Sequence, residues 1–184
     1  MAAALARLGC RVVDADLIGH QLLAAPAVRR QLRRRWGAGV FAADGQVDRK
    51  ALAAIVFADA AELEALNRIL HPRIRRGMKR QIAQAVQNPA VRAVVVDAAV
   101  LLEAGWDKLC THLVFVWAPT EVRARRVAEA RGWSRRHWRQ REKSQISLDS
   151  KRARCHYVLE NCSDASLLAE QTRQLLHELS VGSV

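Results

Sequence analysis

The chain has 184 residues, of which 51% are hydrophobic, so it can bury one core and suits a single domain or a domain with an inserted lobe. No apolar run approaches the roughly 18 residues that a membrane-spanning helix needs, which excludes a helical integral membrane protein. The formal net charge is +12, and a field of that sign attracts polyanions such as nucleic acid, acidic lipid or a phosphate-rich small substrate.

The first predicted strand ends in two carboxylates. Residues 2–8 have the pattern of a helix that Gly9 closes, and Val12-Val13 then indicates a short buried strand. Asp14 and Asp16 follow at its carboxyl end, where open parallel sheets bind ligands. If the strand continues, residues i and i+2 share a face and both carboxylates point into one cleft. Alternatively, one of them caps the helix that follows, and the local sequence leaves both possibilities open.

Residues 24–90 show no strand pattern and are predicted to form a helical lobe inserted between strands. Pro26 and a glycine-containing loop separate the first helices of this lobe. His71-Pro72 is predicted to break a later helix, because proline lacks the N–H donor that a helix interior needs. The predicted helices of the lobe are residues 27–36, 49–57, 60–70 and 73–86.

Three further strand patterns follow the lobe, and helices separate most of them. The first contains four valines and again ends in an acid, Asp97. Strands that alternate with helices indicate an α/β protein with a doubly wound parallel sheet. The predicted strands are residues 91–97, 112–117 and 157–159, and the predicted helices are residues 121–130, 135–145 and 165–179.

The positive charge is concentrated in one part of the chain. Between Glu121 and Arg154, twelve lysines and arginines accompany four acidic residues, and smaller basic clusters occur at residues 29–35 and 73–80. Solvated helix faces explain much of this excess. The four cysteines form no C-x-x-C pair and no zinc spacing, so we interpret them as reduced thiols of a cytoplasmic protein.

Several short motifs match one known family in order and separation. They are Val13-Asp14-Ala15-Asp16; Asp44-Gly45 with Asp48-Arg49-Lys50-Ala51-Leu52 and Ile55-Val56-Phe57; Leu70-His71-Pro72 with Ile74; Asp97 with Leu101-Leu102-Glu103-Ala104-Gly105 and Asp107; Gln145 with Ser147; and Val158-Leu159-Glu160-Asn161. Each motif is weak alone, but together they cover nearly the whole chain. On these residues the chain resembles the dephospho-coenzyme A kinases, a family of the P-loop nucleotide-kinase group.

The resemblance implies a reaction and a division of the chain. In that family, ATP phosphorylates the ribose 3′-hydroxyl of dephospho-coenzyme A to give coenzyme A and ADP, and the implied cofactors are ATP and Mg²⁺. The single kinase domain would comprise a core (residues 1–23, 91–120 and 146–184), a substrate-binding helical lobe (24–90) and a lid over ATP (121–145). Asp16 matches the base or orienting group for the hydroxyl. Asp14 is grouped with the substrate-binding residues and would contact magnesium directly or through a neighbouring group, and no residue is assigned as a dedicated metal ligand.

By the same resemblance, the lobe and the lid supply the remaining contacts. Arg49 would pair with a substrate phosphate and His71 would line the pocket, although His71 is equally explained as the residue that ends a helix. In the lid, Arg131 and Arg141 would bind ATP phosphates through their forked guanidinium groups. Asn161 matches the loop beside the adenine and is equally explained as a turn residue.

The lid region also departs from the family pattern. Many relatives carry an arginine two residues before the turn glycine, where this chain has Ala130; His156 stands where an aspartate is common, and Ala99 where a proline is usual. Four of the five tryptophans fall beside apolar neighbours or at the ends of elements, which favours packing. Trp133, close to Arg131, is the one that we would test for stacking on a base.

The phosphate-binding motif G-x-x-x-x-G-K-[ST] is absent, since no Gly-Lys pair occurs in the chain. Against the family pattern, Met1 falls just after the expected Lys-Ser/Thr. We therefore expect the first central strand and the P-loop to lie about 15–20 residues upstream, and the 184-residue polypeptide alone to be poorly folded and inactive. Translating the DNA upstream of Met1 tests this hypothesis, and a stop codon without such a segment would contradict it.

Two other functions fit parts of the sequence. One is another small-molecule kinase of the P-loop group, against which the motifs around Arg49 and His71 argue. The other is a basic nucleic-acid-binding domain, but no zinc-finger, RRM or helix-turn-helix signature occurs, and acids at strand ends would repel phosphates. We therefore expect small-molecule substrates and neither a nucleic-acid nor a membrane partner, while the oligomeric state is open.

Overall fold

The computed structural model of the chain describes residues 1–162 and 165–181. Within these residues, helices and short strands alternate as in a mixed α/β protein. The helices are α1 (Ala2–Arg7), α2 (Ala15–Leu23), α3 (Pro26–Trp36), α4 (Arg49–Val56), α5 (Ala60–Val86), α6 (Thr120–Arg131), α7 (Arg135–Lys143), α8 (Leu148–Ala153) and α9 (Ala165–Val181), and the strands are β1 (Arg11–Asp14), β2 (Val94–Asp97), β3 (Val114–Trp117) and β4 (Tyr157–Glu160).

The described strands form two pairs. β1 pairs with β2, and β3 pairs with β4. The β3–β4 pair is parallel, with a register that runs from Val114 opposite Tyr157 to Trp117 opposite Glu160. The predicted α/β class and parallel pairing are therefore confirmed. The predicted single, doubly wound sheet differs from the two separate pairs within the described residues, and it stays a prediction.

The chain divides into two compact units. One unit comprises residues 1–12, 88–95 and 100–184, and the other comprises residues 13–87 and 96–99. The second unit contains the helical lobe, whose core consists of buried side chains from α3, α4 and the loop between them: Val28, Leu32, Val40, Leu52 and Val56. At about 25 cal/mol per Å² of apolar surface removed from water, burial of such side chains is the main term that holds the lobe together.

The first unit is held by apolar contacts between its helices and strands. Leu5 of α1, Cys10 and Leu176 of α9 form one buried cluster, and Leu159 of β4 packs with two further leucines of α9 in another. Thr172 is fully buried in α9, and its hydroxyl donates to the carbonyl of Leu168 at 2.5 Å. This bond satisfies a polar group that would otherwise be costly to bury.

Side-chain caps start several helices at the predicted positions. Asp48 accepts from the backbone N–H groups of Lys50 (2.9 Å) and Ala51 (3.1 Å) at the start of α4. Asp59 does the same for Ala61 at the start of α5. These carboxylates accept from N–H groups that have no partner inside the helix. The family motif Asp48-Arg49-Lys50-Ala51-Leu52 therefore contains the N-cap and the first residues of α4.

Helix α5 runs without interruption through Pro72, so the predicted break at His71-Pro72 is wrong. Proline at this position removes one helical hydrogen bond, to the carbonyl four residues earlier. The neighbouring carbonyl of Ile69 accepts from the Arg73 guanidinium at 2.5 Å. Ile74, in the turn where the break was expected, is buried. Burial of this face outweighs the lost bond, and the helix continues.

Two glycines let α2 and α5 approach closely. A Cβ on Gly77 would lie 3.0 Å from Cγ2 of Ile18, and a Cβ on Gly19 would lie 3.3 Å from Cδ1 of Ile74. Each glycine therefore faces an isoleucine of the opposite helix. This packing places the start of α2, where the predicted catalytic carboxylates lie, on the long helix of the same unit.

Other differences from the sequence-based prediction are smaller. The strands predicted at residues 91–97 and 112–117 begin only at Val94 and Val114. Helix α8 was not predicted, and it begins where Ser147 accepts from the Ser150 N–H at 3.1 Å. No helix within the described residues combines the length and apolarity that crossing a membrane requires.

Candidate active site

Asp14 and Asp16 lie at the junction of β1 and α2, but not on one face of a strand. Asp14 is the N-cap of α2, and its Oδ1 accepts from the Leu17 N–H at 2.8 Å. The helix begins at Ala15, so Asp16 already belongs to its first turn. The expected extended arrangement of the two carboxylates is therefore wrong, and the capping alternative is confirmed for Asp14. The cause is that no loop separates β1 from α2.

Asp16 is exposed in the first turn of α2. The unsatisfied N–H groups at a helix N-terminus carry partial positive charge, which favours an ionised carboxylate there. Asp14 is exposed too, but its Oδ1 is engaged in the side-chain cap, so Asp16 is the exposed carboxylate of this junction that does not serve as the cap. That geometry suits contact with a polar ligand.

Asp97 brings a third carboxylate to the same place. It is the last residue of β2, which pairs with β1. Its carboxylate retains access to solvent, but partial burial raises its pKa, and the negative charges of Asp14 and Asp16 raise that pKa further. We call Asp14, Asp16 and Asp97 the acidic cluster. The sequence had indicated Asp97 as the acid that ends a predicted strand and as the start of a motif, but not that it lies beside Asp14 and Asp16.

Such a cluster can accept a proton or hold a cation, because each carboxylate supplies only acceptor atoms when ionised. Within residues 1–162 and 165–181, no three His, Cys, Asp or Glu side chains are arranged as a metal-binding group. The acidic cluster is therefore not a ready-made cage. It is suited to a cation that takes its other ligands from elsewhere, as Mg²⁺ commonly does from substrate phosphates.

Arg49 and His71 lie on two helices of the lobe. Arg49 is the first residue of α4 and is exposed. His71 lies inside α5, where burial lowers its pKa and favours the neutral imidazole. The interpretation of His71 as a helix-ending residue is wrong, since α5 continues for more than three turns beyond it.

The predicted lid residues Arg131 and Arg141 come together on Trp133. The Arg131 Cζ lies 5.0 Å from the centre of the Trp133 ring, and the Arg141 Cζ lies 4.4 Å from it. Helix α6 ends at Arg131, Gly132 takes a left-handed conformation (φ 64°), and Ser134 caps α7. We call residues 131–141 the lid turn. The sequence had indicated the two arginines and Trp133 close to Arg131, but not that Arg141 also lies against the Trp133 ring.

Asn161 lies directly after β4 and is held through its backbone. Its N–H donates to the Trp117 carbonyl at 2.7 Å, and its carbonyl accepts from Arg126 of α6 at 2.8 Å. Gln171 of α9 also bonds to both backbone groups of Glu160, at 2.9 and 3.3 Å. Arg126 and Gln171 were not predicted, because nothing local in the sequence indicates partners 35 and 11 positions away.

Glu103, Gln145 and Lys151 form a polar network at the end of the predicted lid. The Glu103 carboxylate accepts from the Ile146 N–H at 3.1 Å and from Lys151 Nζ at 3.0 Å. Lys151 also donates to Gln145 at 2.6 Å. Two separate family motifs, one around Glu103 and one around Gln145, therefore meet through Lys151, which no motif of the sequence had indicated.

The four cysteines are free thiols. Burial raises the pKa of Cys10, Cys110 and Cys155, so these thiols stay protonated at neutral pH and are poor nucleophiles. They contribute no reactive group to the acidic cluster or to the lid turn, which agrees with their interpretation as reduced thiols.

Comparison with known proteins gives a consistent result. A family model described as dephospho-CoA kinase matches residues 1–166. A dephospho-CoA kinase from Symbiobacterium thermophilum is 37% identical over 154 residues, which cover 83% of this chain and 64% of that protein. One from Chlorobaculum tepidum is 33% identical, with 96% of this chain and 86% of the relative covered. The crystal structure of TT1252 from Thermus thermophilus is similar with a TM-score of 0.80 and 32% identity, over 97% of this chain and 89% of that one.

Proposed function

Because this chain belongs to the dephospho-CoA kinase family, we propose that it transfers the γ-phosphoryl group of ATP to the ribose 3′-hydroxyl of dephospho-CoA. The hydroxyl oxygen forms the new bond to phosphorus while the bond between the γ-phosphorus and the bridging oxygen of ADP breaks. The products are CoA and ADP, and the hydroxyl proton leaves to a base. The chain is a kinase that uses ATP, and the assignment of each residue below is part of the proposal.

The acidic cluster is the observation that carries this assignment. Phosphoryl transfer needs little covalent help from the protein beyond a carboxylate that orients the hydroxyl and accepts its proton. Asp14 and Asp16 are both exposed, and Asp16 is assigned this role because Asp14 already accepts the capping hydrogen bond of α2. The start of α2 thereby holds the base on a rigid element, which limits the geometries in which the hydroxyl can approach.

Magnesium is the second part of the proposal. It is a hard cation that prefers carboxylate and phosphate oxygens and often takes only one or two protein ligands in such sites. Asp14 would supply a carboxylate to the ion, which would take its other ligands from phosphates and water, because the three carboxylates of the acidic cluster do not by themselves form a metal-binding group. When bound, the ion would neutralise charge that develops on the transferred phosphoryl group.

The lobe and the lid turn complete the assignment. Arg49 would bind a phosphate of dephospho-CoA, and the neutral imidazole of His71 would line the pocket of the lobe (residues 24–90). In the lid (residues 121–145), the guanidinium groups of Arg131 and Arg141 would bind the phosphates of ATP. Asn161, whose backbone is held on both sides, would border the adenine. A cytoplasmic location agrees with the free thiols.

A substrate panel tests the function. The protein is incubated with ATP, Mg²⁺ and one acceptor: dephospho-CoA, adenosine, a free sugar or pantetheine phosphate. We expect phosphorylation of dephospho-CoA alone, with the phosphate on the ribose 3′ position by ³¹P NMR of the product. Efficient phosphorylation of a nucleoside or sugar, with none of dephospho-CoA, would instead indicate another kinase of the same group.

A further inference from the structure

The basic cluster at residues 29–35 borders a pocket that the proposed function does not use. Residues 24–43 contain five arginines and no acidic residue. Three of these arginines line a pocket of about 240 Å³ in the helical lobe, and none of the residues assigned to the reaction lines it. We call it the arginine pocket, and its lining residues are Pro26, Arg29, Arg30, Arg33 and Phe41.

One face of α3 supplies four of the five lining residues. Positions 26, 29, 30 and 33 are separated by intervals of three and four residues along the helix, which places their side chains next to one another. Phe41 comes from the turn of residues 41–47, which a bridge between Phe41 and Val47 closes. The pocket therefore follows from one helix face and one turn, both within the same compact unit.

Two of the three guanidinium groups are held in place by neutral partners. Arg29 donates to the Gly45 carbonyl at 2.5 Å, and the Cζ of Arg33 lies 4.4 Å from the centre of the Phe41 ring. A carbonyl oxygen and an aromatic face attract a cation without cancelling its charge. A guanidinium also has more N–H donors than these contacts use, so both groups keep donors for a further acceptor.

The charge of the arginine pocket is not neutralised within the described part of the chain. No carboxylate of residues 1–162 or 165–181 forms an ion pair with Arg29, Arg30 or Arg33. Glu62, which α3 does attract, pairs with Arg35 near the other end of the helix. Like charges that stand together without a counter-charge repel one another and disfavour the compact state. An anion bound in the pocket would remove that repulsion.

We propose that the arginine pocket binds a small polyphosphate, a ligand with two or more linked phosphate groups. A guanidinium fork meets two oxygens of one phosphate, so three forks match several charged oxygens over a short span better than one carboxylate. The volume of about 240 Å³ lies below the roughly 300–1,000 Å³ of pockets for drug-sized ligands, which suits a compact anion. Inorganic pyrophosphate and the phosphate chain of a nucleotide share this chemistry. The inference goes beyond the proposed function and does not depend on it.

A titration observed by NMR at the pocket itself tests the inference. ¹H–¹⁵N spectra are recorded at about 150 mM salt with increasing inorganic pyrophosphate, and the Gly45 amide and Arg29 Nε–H signals give a local Kd. We expect both signals to shift and saturate. Orthophosphate should bind at least about 10-fold more weakly, because it engages fewer guanidinium groups. UDP, which carries two phosphates on a nucleoside, separates the two sources: it binds as well if the ligand is a nucleotide, and it does not if the ligand is inorganic pyrophosphate.

A substitution at Arg30 separates a defined site from a general positive field. Arg30 is exposed, so Arg30→Gln should fold normally, and we expect it to weaken pyrophosphate by roughly 3- to 10-fold. The matched control is Arg34→Gln, which removes an exposed cation of the same helix that does not line the pocket. Its effect should be less than about 2-fold at this salt concentration. The urea midpoint of Arg30→Gln should be no lower than that of the unmodified protein, and its rate of dephospho-CoA phosphorylation should be unchanged.

Other outcomes overturn the inference in distinguishable ways. If Arg34→Gln weakens pyrophosphate as much as Arg30→Gln does, the anion responds to a diffuse field and not to a defined site. If orthophosphate binds as tightly as pyrophosphate, the ligand is not a polyphosphate. If the Gly45 and Arg29 signals do not shift, the pocket does not bind pyrophosphate. If Arg30→Gln also abolishes phosphorylation of dephospho-CoA, the pocket belongs to the active site. The proposed function fails separately, when the unmodified protein does not phosphorylate dephospho-CoA.

Discussion

Asp14 and Asp16 are two positions apart in the chain, yet they have different environments because α2 begins between them. The capping bond from Leu17 fixes Asp14, and Asp16 stands exposed one residue into the helix. Substitution of each aspartate should therefore affect a different property. Loss of the Asp14 cap should mainly reduce the stability of α2, by about 1 kcal/mol, whereas loss of the Asp16 carboxylate should mainly affect the chemical step.

We expect Asp16→Asn to reduce kcat by roughly 10²–10⁴ while ATP affinity stays nearly unchanged, because the amide cannot accept the hydroxyl proton. The measurement is steady-state kinetics with dephospho-CoA, together with calorimetric titration of ATP. Asp149→Asn, on α8 and outside the acidic cluster, serves as the control and should leave kcat unaltered. Near-normal turnover of the Asp16→Asn protein would remove Asp16 from the catalytic role.

Asp97 should make stability depend on pH. Its pKa is raised in the folded protein by burial and by the charges of Asp14 and Asp16, so the folded state binds the proton more tightly than the unfolded state does. The stabilisation from this proton is complete below the unfolded pKa and is lost as the pH rises through the raised, folded pKa. Above that pH range the ionised Asp97 is a destabilising charge.

Asp97→Asn should accordingly raise the urea midpoint of unfolding at pH 7, and the difference from the unmodified protein should shrink as the pH falls toward 4. The urea midpoints are measured at three pH values. Asp149→Asn, which lies outside the acidic cluster, is the control. A lower midpoint for Asp97→Asn at pH 7 would show that the Asp97 carboxylate stabilises the fold.

At the scale of elements, the contact between α2 and α5 decides where the acidic cluster is held. Gly77 and Gly19 each face an isoleucine of the opposite helix, but the two contacts differ in kind. The atom near Gly77 is Cγ2 of the buried Ile18, a branch next to the backbone that moves little. The atom near Gly19 is the terminal Cδ1 of Ile74, which can rotate away.

We therefore expect Gly77→Ala to destabilise the protein by about 1 kcal/mol, since overpacking against Ile18 exceeds the gain in helix propensity. Gly19→Ala is the matched control and should be neutral or stabilising. In an Ile18→Ala background the clash is gone, and Gly77→Ala should then stabilise by up to about 1 kcal/mol. The free energies of unfolding of the unmodified protein, Gly77→Ala, Ile18→Ala and the double variant form a double-mutant cycle. If the effects of Gly77→Ala and Ile18→Ala are additive, the proposed contact is contradicted.

At the scale of the whole molecule, the net charge of +12 favours the binding of polyanions in general. The charge alone does not distinguish a kinase from a nucleic-acid-binding protein. The structure adds that part of the lid's charge is paired with glutamates, while Arg131 and Arg141 gather on Trp133. Binding of a ligand at a specific phosphate site should depend less on salt concentration than binding to a diffuse positive surface does.

Oligonucleotide binding should be detectable at about 50 mM salt and fall steeply toward about 200 mM, as expected for non-specific contacts with phosphates. Phosphorylation of dephospho-CoA at the higher salt should be unaffected by added oligonucleotide. Fluorescence anisotropy of a labelled single strand and a coupled ADP assay measure the two properties in parallel. Tight oligonucleotide binding that persists at high salt, without kinase activity, would favour the nucleic-acid-binding alternative.

The amino-acid sequence by itself determined the family, the α/β class and most element types, because these follow from local patterns: apolar periodicity, turn residues and short motifs in a fixed order. Tertiary structure alone decided three features: that α5 continues through Pro72, that Asp97 joins Asp14 and Asp16, and that Arg131 and Arg141 share Trp133. The physical reason is that burial and charge interactions act between groups distant in the chain. Their free energies outweigh local preferences such as the proline break, and no local pattern records them.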